Sequence, residues 1–557
     1  MNKEYAKSNP IGVDDFKVLV SECYYVDKSK LIEEIISKGS QKSYLFTRPR
    51  RFGKSAVISM LYNFFNINDD TKELFKDLYI AKTPYMMHIN SYPVIYINNK
   101  DFDVSTYSDM VKKFEHIVSS IYLEHRYLLD GNILADIEKQ DYLAVMNRQA
   151  DITLLESSLM KLSHYLNRYH HRKVVVLIDE YDSPLTSSYE YGFFIEASRF
   201  FKSVYSQLLK SNYSLFFSIL TGVLKVSKIN LFSGLNNLVV DNGVVTFFDE
   251  YFGFTYPETK ALLRYYDAEK YYDEVISWYG GYKFACEVVN PWSTLSFLLS
   301  KNIFRLYWSK TSSNNLLETF FKNIDQDEAT EYFSSLINGK TIDISISENY
   351  NYDEMKDINS LSNFLISTGY LTCSSSNNIE TQAYIPNREI KELFKIEILQ
   401  RYRRTIKIDN SLINDLKYNL VNQNDEKAAI NISELLKSVI TYYEFNNEQY
   451  YQVFMGVLTA LLFDECSVSR EISTGEGRCD IMLVPKKGYN FGAIIELKYN
   501  SSKISKERLK QSAKAAINQI IKKDYINSPL FDKESSIYIY GVAFYKKNVQ
   551  VVSEKLR

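Results

Sequence analysis

The sequence predicts an α/β chain of several domains, with a parallel sheet near its start and a separate α/β domain at its end. Three observations predict this. Two apolar runs, Val94-Ile95-Tyr96-Ile97 and Val174-Val175-Val176-Leu177-Ile178, read as strands covered on both faces. Helical periodicity follows the first near 106–124 and 152–170, and the second near 195–210. Close to the end, a helical apolar pattern leads into a hairpin and then a strand with alternating charges. The 557 residues allow three or four domains of about 150 residues each.

Residues 1–42 hold Tyr25-Val26-Asp27-Lys28-Ser29 and a helix expected over Lys30 to Ser37. The next strand, beginning Ser43-Tyr44-Leu45-Phe46, runs into Arg48-Pro49-Arg50-Arg51-Phe52-Gly53-Lys54-Ser55, and a helical pattern starts at once. Strand, loop ending in Gly-Lys-Ser, then helix is the setting of a P-loop, which turns backbone N–H groups onto phosphate at a helix N-terminus. The strict pattern asks for Gly where Arg48 stands. On this reading Arg48, Pro49, Arg50, Arg51, Phe52 and Gly53 form the nucleotide loop. Lys54 reaches the β- and γ-phosphates, and Ser55 ligates Mg²⁺.

The run from Val174 ends in Asp179-Glu180, a Walker-B pattern at the carboxyl end of a strand, where open α/β sheets bind ligands. Asp179 is expected to hold Mg²⁺ through water and Glu180 to polarise the attacking water. Thr221, ending the strand Leu215 to Thr221, is the candidate γ-phosphate sensor. The expected boundaries are an ATPase domain over 1–248, a helical lid over 249–345, a winged-helix-like module over 346–400, a helical connector over 401–440 and a last domain over 441–557.

In that last domain Glu448 opens a helical pattern, Gly477-Arg478-Cys479-Asp480 starts a strand, and Glu496-Leu497-Lys498 ends the next. Helix, hairpin and a strand ending in E-x-K is the layout of the PD-(D/E)XK nuclease core. Strand alternation puts Glu496 and Lys498 on one face. Asp480 and Glu496 are the expected Mg²⁺ ligands, Lys498 positions or deprotonates the water, and Glu448 adds a ligand from the helix. Gln519 on the following helix is a candidate to orient that water. Lys503, Lys506, Arg508, Lys510, Lys514, Lys522 and Lys523 give this region a basic face suited to phosphate contacts.

Composition narrows the classes. The net charge of −2 gives no global field favouring nucleic acid, so attraction has to be local. The five cysteines are scattered, with no CxxC pair, which argues against a disulfide framework or zinc site and fits a reducing compartment. All six histidines precede residue 172, so no histidine can serve the C-terminal constellation. The N-terminus is unlike a signal peptide, and no apolar run reaches the ~20 residues needed to cross a bilayer. A cytoplasmic protein without a membrane partner is expected.

The chain resembles the AAA-ATPase-like proteins that carry a C-terminal PD-(D/E)XK nuclease domain. The resemblance runs nearly end to end. It rests on Gly12 to Phe16, Tyr25 to Ser29, Arg48 to Ser55, Asp179-Glu180-Tyr181-Asp182-Ser183-Pro184-Leu185, Thr221-Gly222-Val223-Leu224, Ser233 to Leu238, Asn290-Pro291-Trp292, Ile385-Pro386-Asn387, Gly477 to Asp480 and Glu496 to Lys498. The family itself has Arg at the place of Arg48. It often has Arg where this chain has Lys225, which keeps the charge and loses the bidentate fork. The resemblance implies ATP binding and hydrolysis with Mg²⁺, coupled to metal-dependent cleavage of nucleic acid, DNA foremost. It also implies a setting in defence or mobile-element biology. The sequence leaves the oligomeric state open, with a homo-oligomer among the possible states. The alternative is a nucleotide-switched module that binds nucleic acid or protein through an inactive nuclease fold. A helicase or translocase motor is the third reading, and it lacks accessory motor motifs.

Overall fold

Burial accounts for the first sheet. Strands β1 (Ser43–Thr47), β2 (Val94–Asn98), β3 (Val174–Asp179), β4 (Leu215–Gly222) and β5 (Leu238–Asp241) pair in the order β2-β3-β4-β1-β5, all parallel. β1 and β3 are buried at every position, which is why neither alternates in polarity. β4 lies between β1 and β3, so the carboxyl ends of all three stand side by side. That brings the loop after β1, Thr221 and Asp179 to one edge of the sheet. The helix Lys54–Phe65 covers β1 through Val57, Leu61 and Phe64, which share a core with Phe16, Leu31, Phe46, Val175 and Phe217. The helix Lys30–Ser37 and the helices Tyr107–Glu124, Ile152–His170 and Phe194–Leu209 match the sequence expectation closely.

The computed structural model describes residues 7–39, 42–100, 102–224, 237–242, 248–284, 286–308, 332–333, 335–337, 339–346, 357–374, 380–394, 410–439, 448–463, 466–474, 477–485, 489–523, 531 and 536–556. These fall into two compact units, Met1–Phe394 and Lys395–Arg557. Lys225 and Ser233 to Asn236 lie outside the described residues.

The rest of the first unit, read from sequence as a lid and a small module, holds further helices and two small sheets. Helices Tyr256–Tyr265, Tyr272–Tyr279 and Pro291–Leu299 start at good signals, including a Thr255/Glu258 capping box and an Asn290 cap followed by Pro291. Between them is a small antiparallel sheet of β6 (Phe254–Thr255), β7 (Tyr282–Phe284) and β8 (Cys286–Val289), in the order β6-β8-β7. Its strands are two to four residues long, too short to show a period in sequence. Then come β9 (Ile342–Ser345), the helix Ile358–Thr368 and the antiparallel pair β10 (Thr372–Cys373) and β11 (Glu380–Tyr384), with β9 on the free edge of β11.

The second unit has the sheet β12 (Cys466–Thr474), β13 (Gly477–Pro485), β14 (Phe491–Tyr499), β15 (Ser536–Tyr545) and β16 (Asn548–Lys555), paired in that order. Only β14 and β15 are parallel. Period-two alternation divides the strands between two cores. Ala493, Ile495 and Leu497 pack with Met455 and Leu458 of the helix Glu448–Leu462, while Ile494 and Met482 pack with Ile517 and Ile520 of the helix Lys506–Lys522. Glu496, Lys498 and Asp480 share the parity of the second set. The segment read as a connector contributes two helices, Asn410–Val421 and Asp425–Val439, to the first of these cores through Leu416, Leu420, Ile432 and Leu436. Their apolar residues recur at three and four positions amid polar ones, the pattern of a helix with one covered face.

Candidate active sites

The loop after β1 is shaped by two left-handed residues, Arg51 at φ 67° and Gly53 at φ 83°. Glycine adopts that region freely and arginine does not. The Arg51 guanidinium lies 4.2 Å from the centre of the Trp292 ring, a cation–π contact that helps hold it there. Lys54 is buried, and its Nζ donates to Arg48 O and Pro49 O, both at 2.9 Å. Burial lowers its pKa, and Glu180, Asp182 and Asp179 oppose that. Arg48 begins the loop, but its side chain serves the fold. Its guanidinium is fully buried, paired with Asp241 at the end of β5 at 2.5 Å and flanked by Phe252 and Phe284.

At the end of β3, Asp179 Oδ1 accepts from the Thr221 hydroxyl at 2.5 Å and from Glu180 N at 3.1 Å. Its Oδ2 is buried and has no hydrogen-bond partner among the described residues. Thr221, read from sequence as a phosphate sensor, thus has its hydroxyl on Asp179, the aspartate read as Walker B. Glu180 stands at φ 53°, and burial raises its carboxyl pKa against the pull of Lys54. Sequence reasoning missed much of the surrounding cavity. Its volume is about 640 Å³, ample for a nucleotide-sized ligand. Apolar walls come from Pro10, Val13, Tyr24, Val26, Trp292 and Leu295, far apart in the chain. The indole N–H of Trp308 donates to Arg50 O at 3.2 Å, so the loop is also held from residues 258 positions later.

The second constellation is made by strand ends. Pairing of β13 with β14 stops at Ile481 and Ile495, which leaves Leu497 N without a β13 partner. Asp480 supplies one, its Oδ2 accepting from Leu497 N at 2.8 Å. Asp480 Oδ1 accepts from Gln452 on the helix Glu448–Leu462 at 3.1 Å. Gln452 escaped sequence reasoning, although it lies four residues after Glu448 and so on the same helix face. The Glu448 side chain lies outside the described residues. Glu496 Oε1 accepts from Gln519 and lies 3.4 Å from Lys498 Nζ, which donates to Gln519 Oε1 at 2.7 Å. Glu496 Oε2 is buried without a partner among the described residues. Burial and the nearby Asp480 push the Glu496 carboxyl up to about 7. Gln519 reaches it because the helix Lys506–Lys522 comes very close at Gly541, where an added Cβ would stand 2.0 Å from Ala513 O.

Residues 10–232 match the family model described as a predicted AAA-ATPase, and residues 446–554 match that of the PD-(D/E)XK nuclease superfamily. The chain joins an AAA-ATPase-like domain to a PD-(D/E)XK superfamily domain. An uncharacterized protein in the vnfD 5′ region of Azotobacter chroococcum mcd 1 is similar, 27% identical over 411 residues, 71% of this chain and 70% of that protein. The solved Aeropyrum pernix ORC2 protein, in ADPNP-ADP complexes, overlaps 66% of this chain and 92% of its own at 10% identity. Its TM-score of 0.25 is too low to carry an inference.

Such domains typically use ATP and Mg²⁺, and the residues present fit both. In the AAA-ATPase-like domain the open oxygen of Asp179 stands at the sheet edge shared with Lys54. In the PD-(D/E)XK domain the open oxygen of Glu496 stands beside Asp480. Among the described residues no three His, Cys, Asp or Glu side chains converge on a point. A two-carboxylate set suits Mg²⁺, which keeps several waters and takes further oxygens from phosphate. No described helix is long and apolar enough to cross a membrane.

Proposed function

We propose that the chain binds and hydrolyses ATP with Mg²⁺ at its P-loop, and that this is coupled to metal-dependent phosphodiester cleavage of nucleic acid, DNA foremost, in the C-terminal domain. One observation supports it above the others. Each constellation holds one buried carboxylate oxygen with no hydrogen-bond partner among the described residues, Asp179 Oδ2 and Glu496 Oε2, beside a lysine. Buried carboxylate oxygens are ordinarily satisfied, and a cation is the partner that would satisfy these.

In the first domain Lys54 would exchange its two loop carbonyls for β- and γ-phosphate oxygens. Ser55 and Asp179 would hold the metal, and Glu180 would orient the water. In the second, Asp480 and Glu496 would hold the metal, Glu448 would add to them from its helix, and Lys498 would place the water, with Gln519 fixing Lys498. The bound metal would supply an activated water and stabilise charge on the phosphodiester. The basic helix Lys506–Lys522 would contact backbone phosphates without reading sequence. The resemblance supports a setting in defence or mobile-element biology, and the scattered cysteines support a reducing, cytoplasmic one.

The test is to incubate the full chain with plasmid, single-stranded DNA and RNA, with Mg²⁺ or Mn²⁺, with and without ATP. Lys54→Ala should abolish ATP binding. Glu180→Gln should keep binding and slow hydrolysis on the order of 100-fold or more. Parental hydrolysis by Glu180→Gln would remove the Walker-B assignment. Intact ATP hydrolysis with no cleavage of any substrate would move the reading to an ATP-switched binding module.

A further inference from the structure

Asp182 follows the Asp179-Glu180 pair and stands at the N-cap of the helix Ser183–Tyr191. An aspartate there ordinarily accepts from the first N–H groups of its own helix. This one makes no side-chain cap. Its carboxylate crosses to the end of β4, where Oδ2 accepts from Val223 N at 2.9 Å and Leu224 N at 2.8 Å. The residue is 5% exposed. Three more hydrogen bonds join the same two segments. Tyr181 N donates to Thr221 O at 2.9 Å, the Tyr181 hydroxyl donates to Leu224 O at 2.5 Å, and the Thr221 hydroxyl donates to Asp179 at 2.5 Å. The approach is so close that a Cβ on Gly222 would stand 2.5 Å from Asp182 Oδ1 and 2.7 Å from the Tyr181 ring.

Glu180 sits inside this clasp at φ 53°. Non-glycine residues keep such conformations only where the surroundings over-determine them, and they cluster at functional sites. From this geometry we propose that Asp182 is a positioning residue of the nucleotide site: its two backbone hydrogen bonds to the end of β4 fix the Glu180 backbone, and with it the aim of the Glu180 carboxylate. The inference rests on the ATPase reading above, in which Glu180 acts on water. It treats Asp182 as an acceptor whose charge is dispensable.

Asp182→Ala and Asp182→Asn in the full chain test it, because the asparagine oxygen can still accept from both N–H groups. Asp182→Ala should lower kcat for ATP about 10- to 100-fold, as displacement of a catalytic group does, with KM nearly unchanged. Asp182→Asn should stay within about threefold of the parent, since it keeps both neutral hydrogen bonds. Gly222→Ala should resemble Asp182→Ala, because its Cβ forces the clasp apart. Amide exchange at Val223 and Leu224 should quicken in Asp182→Ala and stay near parental in Asp182→Asn. If Asp182→Asn is as slow as Asp182→Ala, charge matters and the positioning role is overturned. Parental kcat in Asp182→Ala overturns it as well. If the parent has no ATPase activity that Lys54→Ala removes, the ATPase reading fails. Exchange at the two amides then still decides the clasp, and unchanged exchange in Asp182→Ala rejects it.

Discussion

Glu389 in the first unit and Glu496 in the second are both buried glutamates that burial pushes up to about 7. Their donors differ. Glu389 Oε1 accepts from Tyr307 N and Trp308 N, and its Oε2 from the Ser293 hydroxyl, at 2.6 to 2.8 Å. Both of its oxygens are satisfied, and the group ties three chain segments together. Among the described residues Glu496 has donors on Oε1 alone, and its Oε2 is left open. A raised carboxyl pKa therefore reports burial in both regions. The count of donors separates a carboxyl whose oxygens are both bonded from one with an oxygen open to a further partner.

The largest effects should fall on the open side of this comparison. Asp480→Ala, Glu496→Ala and Lys498→Ala should each remove metal-dependent cleavage, and EDTA should do the same to the parent. Glu389→Gln should leave cleavage unchanged. Cleavage that survives EDTA, or that Glu389→Gln abolishes, breaks the distinction. The next effect sharpens it. Gln519→Ala and Gln452→Ala remove the amides that aim Lys498, Glu496 and Asp480, and groups around a metal site typically contribute 10- to 100-fold. Each variant should lose activity by about that factor and need more Mg²⁺ for half-maximal rate. Parental Mg²⁺ dependence in both would mean that the carboxylates hold their places unaided.

A smaller effect is expected at Glu389. In the folded chain it keeps its proton to about 7, against 4.5 for an ordinary carboxyl. Between those values the folded state binds more protons than the unfolded chain, so stability falls as pH rises. The contribution is whole below the lower value and lost above the higher one. Tyr279 and Tyr282, which face it, are themselves pushed further up and stay neutral throughout. Glu389→Gln has no proton to lose. Measured against it, the parent's unfolding midpoint should drop by a few degrees between pH 5 and pH 8, for a loss on the order of 2 kcal/mol. Parallel profiles for the two proteins would show that Glu389 does not titrate in this window.

What the sequence made legible was local. Gly53-Lys54-Ser55, Asp179-Glu180 and Glu496-Leu497-Lys498 are contiguous, and their apolar runs declare the strands that carry them. The orphan oxygens, the Gln452 amide and the cavity walls were not legible, because they depend on which distant segments meet. Arg48 shows why. In sequence it is one of the loop residues. In the fold its partner is Asp241 at the end of a four-residue strand, 193 positions away, in a stretch with no period to reveal it. Thr221 was legible as a strand end beside Walker B, but its hydroxyl bond to Asp179 depends on β4 lying next to β3.

The smallest effect joins the Glu389 region to the loop after β1, the proposed nucleotide loop. Lys54 occupies the carbonyls of Arg48 and Pro49, and the next carbonyl, Arg50 O, takes the Trp308 indole N–H. Glu389 fixes Trp308 through its backbone N–H, and Gly369 lies against Pro49, where an added Cβ would come within 2.7 Å of the proline Cβ. A phosphate that draws Lys54 away frees the first two carbonyls and leaves the Trp308 contact in place. Trp308→Phe keeps an aromatic ring and removes only the N–H. One neutral hydrogen bond is worth about 0.5–1.5 kcal/mol net, roughly 2- to 10-fold in an equilibrium. ATP should therefore bind Trp308→Phe that much more weakly if the contact preorganises the loop for phosphate. ATP should bind it more tightly if the contact holds the loop in a conformation that phosphate must disrupt. Titration of a fluorescent ATP analogue into parent and variant reads the sign directly. Equal affinities would show that Trp308 packs on the loop without biasing it, and the link from Glu389 to the nucleotide would be dropped.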